Sequence, residues 1–105
     1  MKENKEKLET IVNEITPIVD GMVRKSRIRI YKSEIDKYGT MTITFAGGTN
    51  GGDGQWFEYF KDLSDVLKEI NDKTNYHTWA IKLINDCPDD VFDLTIGIRE
   101  KKSYE

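Results

Sequence analysis

Five glycines fall between Gly47 and Gly54, in the stretch AGGTNGGDGQW. A run this dense can cradle a phosphate when a lysine and a hydroxyl complete the loop. Gly47 and Gly52 have the spacing of such a loop, but Asp53 and Gly54 stand where the lysine and the serine or threonine belong. The Asp53 carboxylate would repel the anion. A dinucleotide loop fails too, because Gly52 and Gly54 are followed by Phe57 where the third glycine is required. A calcium loop needs acidic residues at alternate positions, and Asp53 is alone. The run therefore reads as a hinge or contact loop, with Asp53 placed to cap the helix that follows.

His77 and Cys87 are the single histidine and the single cysteine. A zinc site needs about four donors with paired spacings, which this pair does not supply. A Cys–His nucleophile pair requires the two in contact, and no serine or threonine stands in a nucleophile-elbow motif. The expectation is no enzyme, no catalytic residue, no metal and no cofactor. One cysteine also excludes an intrachain disulfide, which suits a reducing cytoplasm.

Charge is the remaining chemical signal. The chain has 105 residues, a net charge of −3 and a pI of about 5.2. From Met22 to Lys37 six basic residues face two acidic ones; from Asn50 to Asp93 ten acidic residues face four lysines. Such a dipolar molecule can steer a charged partner onto one side. Glu58, Asp62, Asp65, Glu69 and Asp72 repeat at four, three, four and three, the spacing of one helical row. Together with Asp53, Asp89 and Asp90 they form a candidate docking surface, one that imitates a phosphate backbone or covers a basic active site. The competing reading is a solvated helix face. Arg24, Lys25, Arg27, Arg29 and Tyr31 form the opposite candidate, a nucleic-acid surface that stacks and neutralises. The acidic total argues against it, as these arginines can pair with the chain's own carboxylates.

The elements that must position these groups follow from periodicity. Leu8, Ile11, Val12, Ile15, Ile18, Val19 and Met22 give a helical stripe ending near Gly21, with Pro17 either kinking it or stopping it and Thr16 then acting as a cap. Ile28 and Ile30 alternate with Arg27, Arg29 and Tyr31 in a strand; IDKYG carries turn chemistry. TMTITF then sets Met41, Ile43 and Phe45 against Thr40, Thr42 and Thr44. The polar side of this hairpin is expected to be wet or covered by a partner. Trp56, Phe60, Leu63, Leu67 and Ile70 mark a second helix, with the acidic row opposite its buried row. HTWAIKLI sets Trp79, Ile81 and Leu83 on one side of a strand; NDCPDD turns; VFDLTIGIR places Phe92, Leu94, Ile96 and Ile98 on one side of the last strand. The tail EKKSYE is expected to fray. The order α-β-β-α-β-β implies one α+β domain over 1–105, a two-layer arrangement of an antiparallel four-stranded sheet with the helices on one face. MKENKEKLET lacks an apolar signal core, and no run is long enough to span a membrane, so a cytoplasmic protein is expected.

The closing hairpin YHTWAIKLINDCPDDVFDLTIGIRE resembles small bacterial toxin-immunity proteins, in particular the family paired with LXG-type secreted toxins. That family opens one strand with a tryptophan–threonine pair and closes on an acidic, aromatic strand; Thr78-Trp79 and Phe92-Asp93 stand near those places. The resemblance covers the last half of the chain, with the Thr–Trp order reversed and a different turn at NDCPDD. Immunity proteins of contact-dependent inhibition share the size and acidity. The resemblance implies a cytoplasmic antitoxin that binds a toxin domain, a basic nuclease being the expected class, and occludes its active site through the acidic surface. A phage-encoded inhibitor of a host nuclease or defence protein would obey the same physics. A nucleic-acid-binding regulator built on Arg24 to Tyr31 is the reading of another class.

Overall fold

The computed structural model describes residues 2–21, 28–48, 56–86 and 91–102. Helix α1 (Lys2–Gly21) leads into β1 (Arg29–Ile35) and β2 (Met41–Gly48); α2 (Trp56–Lys73) leads into β3 (Tyr76–Asp86) and β4 (Val91–Glu100). The four strands form one antiparallel sheet in the order β1-β2-β4-β3. Both helices pack on the same face, α1 over β1 and α2 over β3 and β2. The expected α+β architecture is thus the observed one.

Alternation explains the core. Ile43 and Phe45 of β2 stand opposite Ile96 and Leu94 of β4, and all four are buried. Leu8, Ile11, Ile15 and Val19 of α1 close over them, as do Leu63, Val66 and Ile70 of α2. Phe60 meets Phe92 with ring centroids 5.5 Å apart at 59°, a tilted pair of the kind aromatic quadrupoles favour. Full burial of each such side chain stabilises by roughly 1.5–3 kcal/mol.

Several local details refine the periodicity argument. One helix runs through Pro17, and Thr16, instead of capping a second helix, donates its hydroxyl to the Val12 carbonyl at 2.7 Å. The expected turn after β1 forms around Asp36, whose carboxylate accepts the amides of Tyr38 and Thr40 at 2.9 Å each. Gly39 supplies the positive φ of 81° that this turn needs. Strand β2 runs beyond Phe45 to Gly48, so the first two glycines of the run are ladder residues, paired with Phe92 and Val91. Met22, and the run from Thr49 to Gln55, lie outside the described residues.

The larger departure is in β3. Trp79, Ile81 and Leu83 were expected on one side. Instead the register slips between Ala80 and Lys82, leaving Ile81 as an extra residue. Trp79 then stands opposite Gly97 and Leu83 opposite Leu94, on opposite faces of the sheet. A one-residue bulge exchanges the two faces beyond it, which uniform alternation does not anticipate. A matching slip lies in β1, between Ile30 and Lys32, and leaves Tyr31 without a partner in the ladder.

Polar contacts close the ends. Lys101 donates its ammonium to the carbonyls of Asn71 and Thr74, where a cation offsets the exposed dipoles of the α2 terminus. Buried Tyr76 is pushed up to about 12, first by burial and then by Glu14, whose carboxylate accepts its hydroxyl, and by the charge of Glu100. Two outcomes follow. Lys101→Met should lower stability by about 1 kcal/mol in a denaturant titration. The folded state holds the Tyr76 proton to higher pH than the unfolded chain does. Stability from this group is therefore full below about pH 10 and is lost as pH rises through about 12. Tyr76→Phe should flatten the fall in melting temperature over that window.

Candidate functional site

The helix-free face of the sheet is where the described residues converge on a site. Pairing across the four strands sets three rows on this face. Arg29, Ala46, Asp93 and Ile84 form the first; Lys32, Thr44, Thr95 and Lys82 the second; Glu34, Thr42, Gly97 and Trp79 the third. Thr42 and Thr44 are only 4% exposed although neither described helix lies on their face of the sheet. Both edge strands carry a bulge, and bulges raise local twist. Between the two edges, over a threonine floor, lies a groove of about 250 Å³. Tyr31 and Lys32 form one wall, and Ile81, Lys82 and Ile84 the other.

The floor is internally satisfied. The Thr44 and Thr95 hydroxyls are 2.9 Å apart, and Thr42 donates to the Glu34 carbonyl at 2.9 Å. Lys32 reaches Glu34 at 3.7 Å. Tyr31 is 60% exposed, Ile81 47%, Ile84 40% and Trp79 37%. Tyr31, Ile81 and Ile84 gather around one concavity and so differ from isolated exposed apolar residues, which need no explanation. Trp79 is held in place. Its indole lies over Gly97, where a Cβ would fall 2.3 Å from the ring, and it stacks on His77 with centroids 6.0 Å apart. His77 is thus part of an aromatic pair; Cys87 lies outside the described residues.

The acidic row is in part where its spacing put it. Asp65 and Asp72 are exposed on α2, while Asp62 and Glu69 are half-buried. Fully buried Val66, absent from the expected apolar row, lies one helical turn from both and draws the buried face toward them. The carboxylates are also partly matched: Lys61 reaches Asp65 at 3.5 Å and Lys73 reaches Glu69 at 2.8 Å, and Asn71 donates to Asp72 at 3.4 Å. The Glu69 hydrogen bond and charge raise Lys73 above its ordinary value. Asp53, Asp89 and Asp90 lie outside the described residues, as does the side chain of Glu58 in the first turn of α2. Of the basic candidate, Arg29 and Tyr31 are exposed on β1; Arg24, Lys25 and Arg27 lie outside the described residues.

Among the described residues no group of three or more His, Cys, Asp and Glu side chains could hold a metal, and no helix is long and apolar enough to cross a membrane. Comparison with family models, curated proteins and solved structures finds no match to this chain. The polar threonine side of the first hairpin was expected from alternation, but sequence reasoning missed Ile81 and Ile84, although the run TWAIKLI, apolar on both parities, was a signal that no single buried face could absorb it. Gly97→Ala should force the Trp79 indole off the sheet, lowering stability by about 2 kcal/mol. Read in a Trp56→Phe background, the emission of Trp79 should shift to the red.

Proposed function

We propose that this chain works by binding a protein partner, and that it is an immunity-type inhibitor of a toxin domain. The observation that carries the binding reading is the helix-free sheet face, where Tyr31, Ile81 and Ile84 line a groove and Trp79 is exposed on the same face. Exposed aromatic and aliphatic anchors around a polar floor are the composition of interface centres. The floor threonines already bond to one another or to backbone, so a partner is asked only to fill the concavity. The toxin-immunity form rests on the resemblance of the closing hairpin and on the acidic excess of the second half of the chain.

The α2 carboxylates take a different role in this reading from the one their spacing first suggested. Five acidic residues on α2 stand among three lysines, and Asp65 and Glu69 are already ion-paired. Exposed pairs of this kind are worth little, and a row of them steers an approaching cationic domain more than it grips it. The sheet face would then set the lifetime of the complex, and α2 its rate of formation.

The test is to capture the partner from native cells, purify it, and measure association and dissociation separately. Tyr31→Ala should speed dissociation by about tenfold or more. Asp62→Lys with Asp65→Lys should slow association at low salt and leave dissociation nearly unchanged. A partner indifferent to both sets would sink this reading. Recovery of nucleic acid, with binding lost on Arg29→Glu, would favour the regulator instead.

A further inference from the structure

The two edges of the sheet are built differently. Edge strand β1 is seven residues long and carries Arg29, Lys32 and Glu34, the charges with which proteins discourage strand addition. Edge strand β3 is eleven residues long, and Lys82 is its one formal charge between Tyr76 and Asn85. Among the described residues no strand pairs with the outer side of β3. Its large apolar side chains are exposed on both faces: Trp79 and Ile84 on the helix-free face, and Leu83, 45% exposed, on the helix face. A long apolar edge strand is a template for another strand.

We propose that a second copy of this chain fills that edge. The β3 strands would pair antiparallel about a two-fold axis and merge two sheets into one of eight strands. Self-complementarity is the requirement for such a contact, and β3 meets it because of its bulge. The extra residue at Ile81 changes which positions share a face. The register that keeps every side chain on its own face sets Trp79 opposite Ile84 of the second copy and Ala80 opposite Leu83. Lys82 then faces Ile81, so the two lysines are not directly opposed. Apolar positions meet apolar ones on both faces, and no like charge stands across from itself. An identical strand offers that pattern in this one register. The Tyr31 and Lys32 walls of the two grooves and the α2 carboxylates are left outside this contact, whereas the opposite walls, Ile81, Lys82 and Ile84, lie along it.

The experiment needs no partner, so its failure is separate from failure of the binding reading. Sedimentation of the purified chain at micromolar concentration should give twice the 12.2 kDa chain mass. Ile81→Lys places a second cation opposite Lys82 at both symmetry-related positions. It should sediment as a single chain with an unchanged far-ultraviolet circular dichroism spectrum. Ile81→Glu, equally polar, sets a carboxylate there and should retain the dimer. A wild-type chain that sediments as a monomer would overturn the proposal, and so would two variants that behave alike.

Discussion

The pairing of β2 with β4 is the contact on which the other arrangements depend. It joins segments about fifty residues apart, as Thr44 and Thr95 show, and bears the loop-closure entropy of doing so. It also decides the use of both faces at once. Ile43 with Ile96 and Phe45 with Leu94 form the centre of the core, and on the reverse of the same two strands Thr44 meets Thr95. One register therefore supplies the floor that two helices cover and the floor that they leave open. A slip of one residue would exchange them, placing threonines under the helices and isoleucines in the groove. The core makes that slip expensive, so the open face inherits its geometry from the buried one.

Around this fixed centre the edge strands are adjusted. Each carries one extra residue, Tyr31 in β1 and Ile81 in β3. Bulges raise local twist, and here the two lie on the margins of a groove. Both extra residues line that groove. Residues freed from the ladder have no partner directly across from them in the sheet, so their side chains can be chosen for what lies outside it. That is the physical reason for looking for recognition at Tyr31 and Ile81 before the more conspicuous carboxylates of α2, whose regular spacing also brings them within reach of lysines one turn away.

Most of the fold was legible in the sequence because it rests on short-range periodicity. The period-two pattern of VFDLTIGIR and of TMTITF, and the stripe from Leu8 to Val19, each report one buried face. What was not legible depends on interruption. A single inserted residue leaves no mark in composition, so β3 looked like one alternating strand with Trp79, Ile81 and Leu83 together. Val66 was passed over for a related reason: Leu63, Leu67 and Ile70 already satisfied a helical row, and the width of the stripe is set by what packs against it. The candidate site was legible only in part. The exposure of Arg29, Tyr31, Asp65 and Asp72 followed from the pattern, whereas the groove needed strands from both ends of the chain.

The glycines show how context assigns a role that composition leaves open. Gly47 and Gly48, first met as the start of a phosphate-like run, are the end of β2 and pair with β4. Gly97, unremarked in the sequence, has the strictest local demand, since any side chain there would collide with the Trp79 indole. A bare patch of backbone in mid-strand normally weakens a sheet. Here it lets an indole lie against the strand, with His77 stacked on it, so that a large apolar surface is packed on two sides while still facing solvent. Rigid, exposed aromatic surface loses little entropy when something covers it. The arrangement suits recognition by a preformed face, and a strand that also forms the unguarded edge is well placed to align two such faces on one extended sheet.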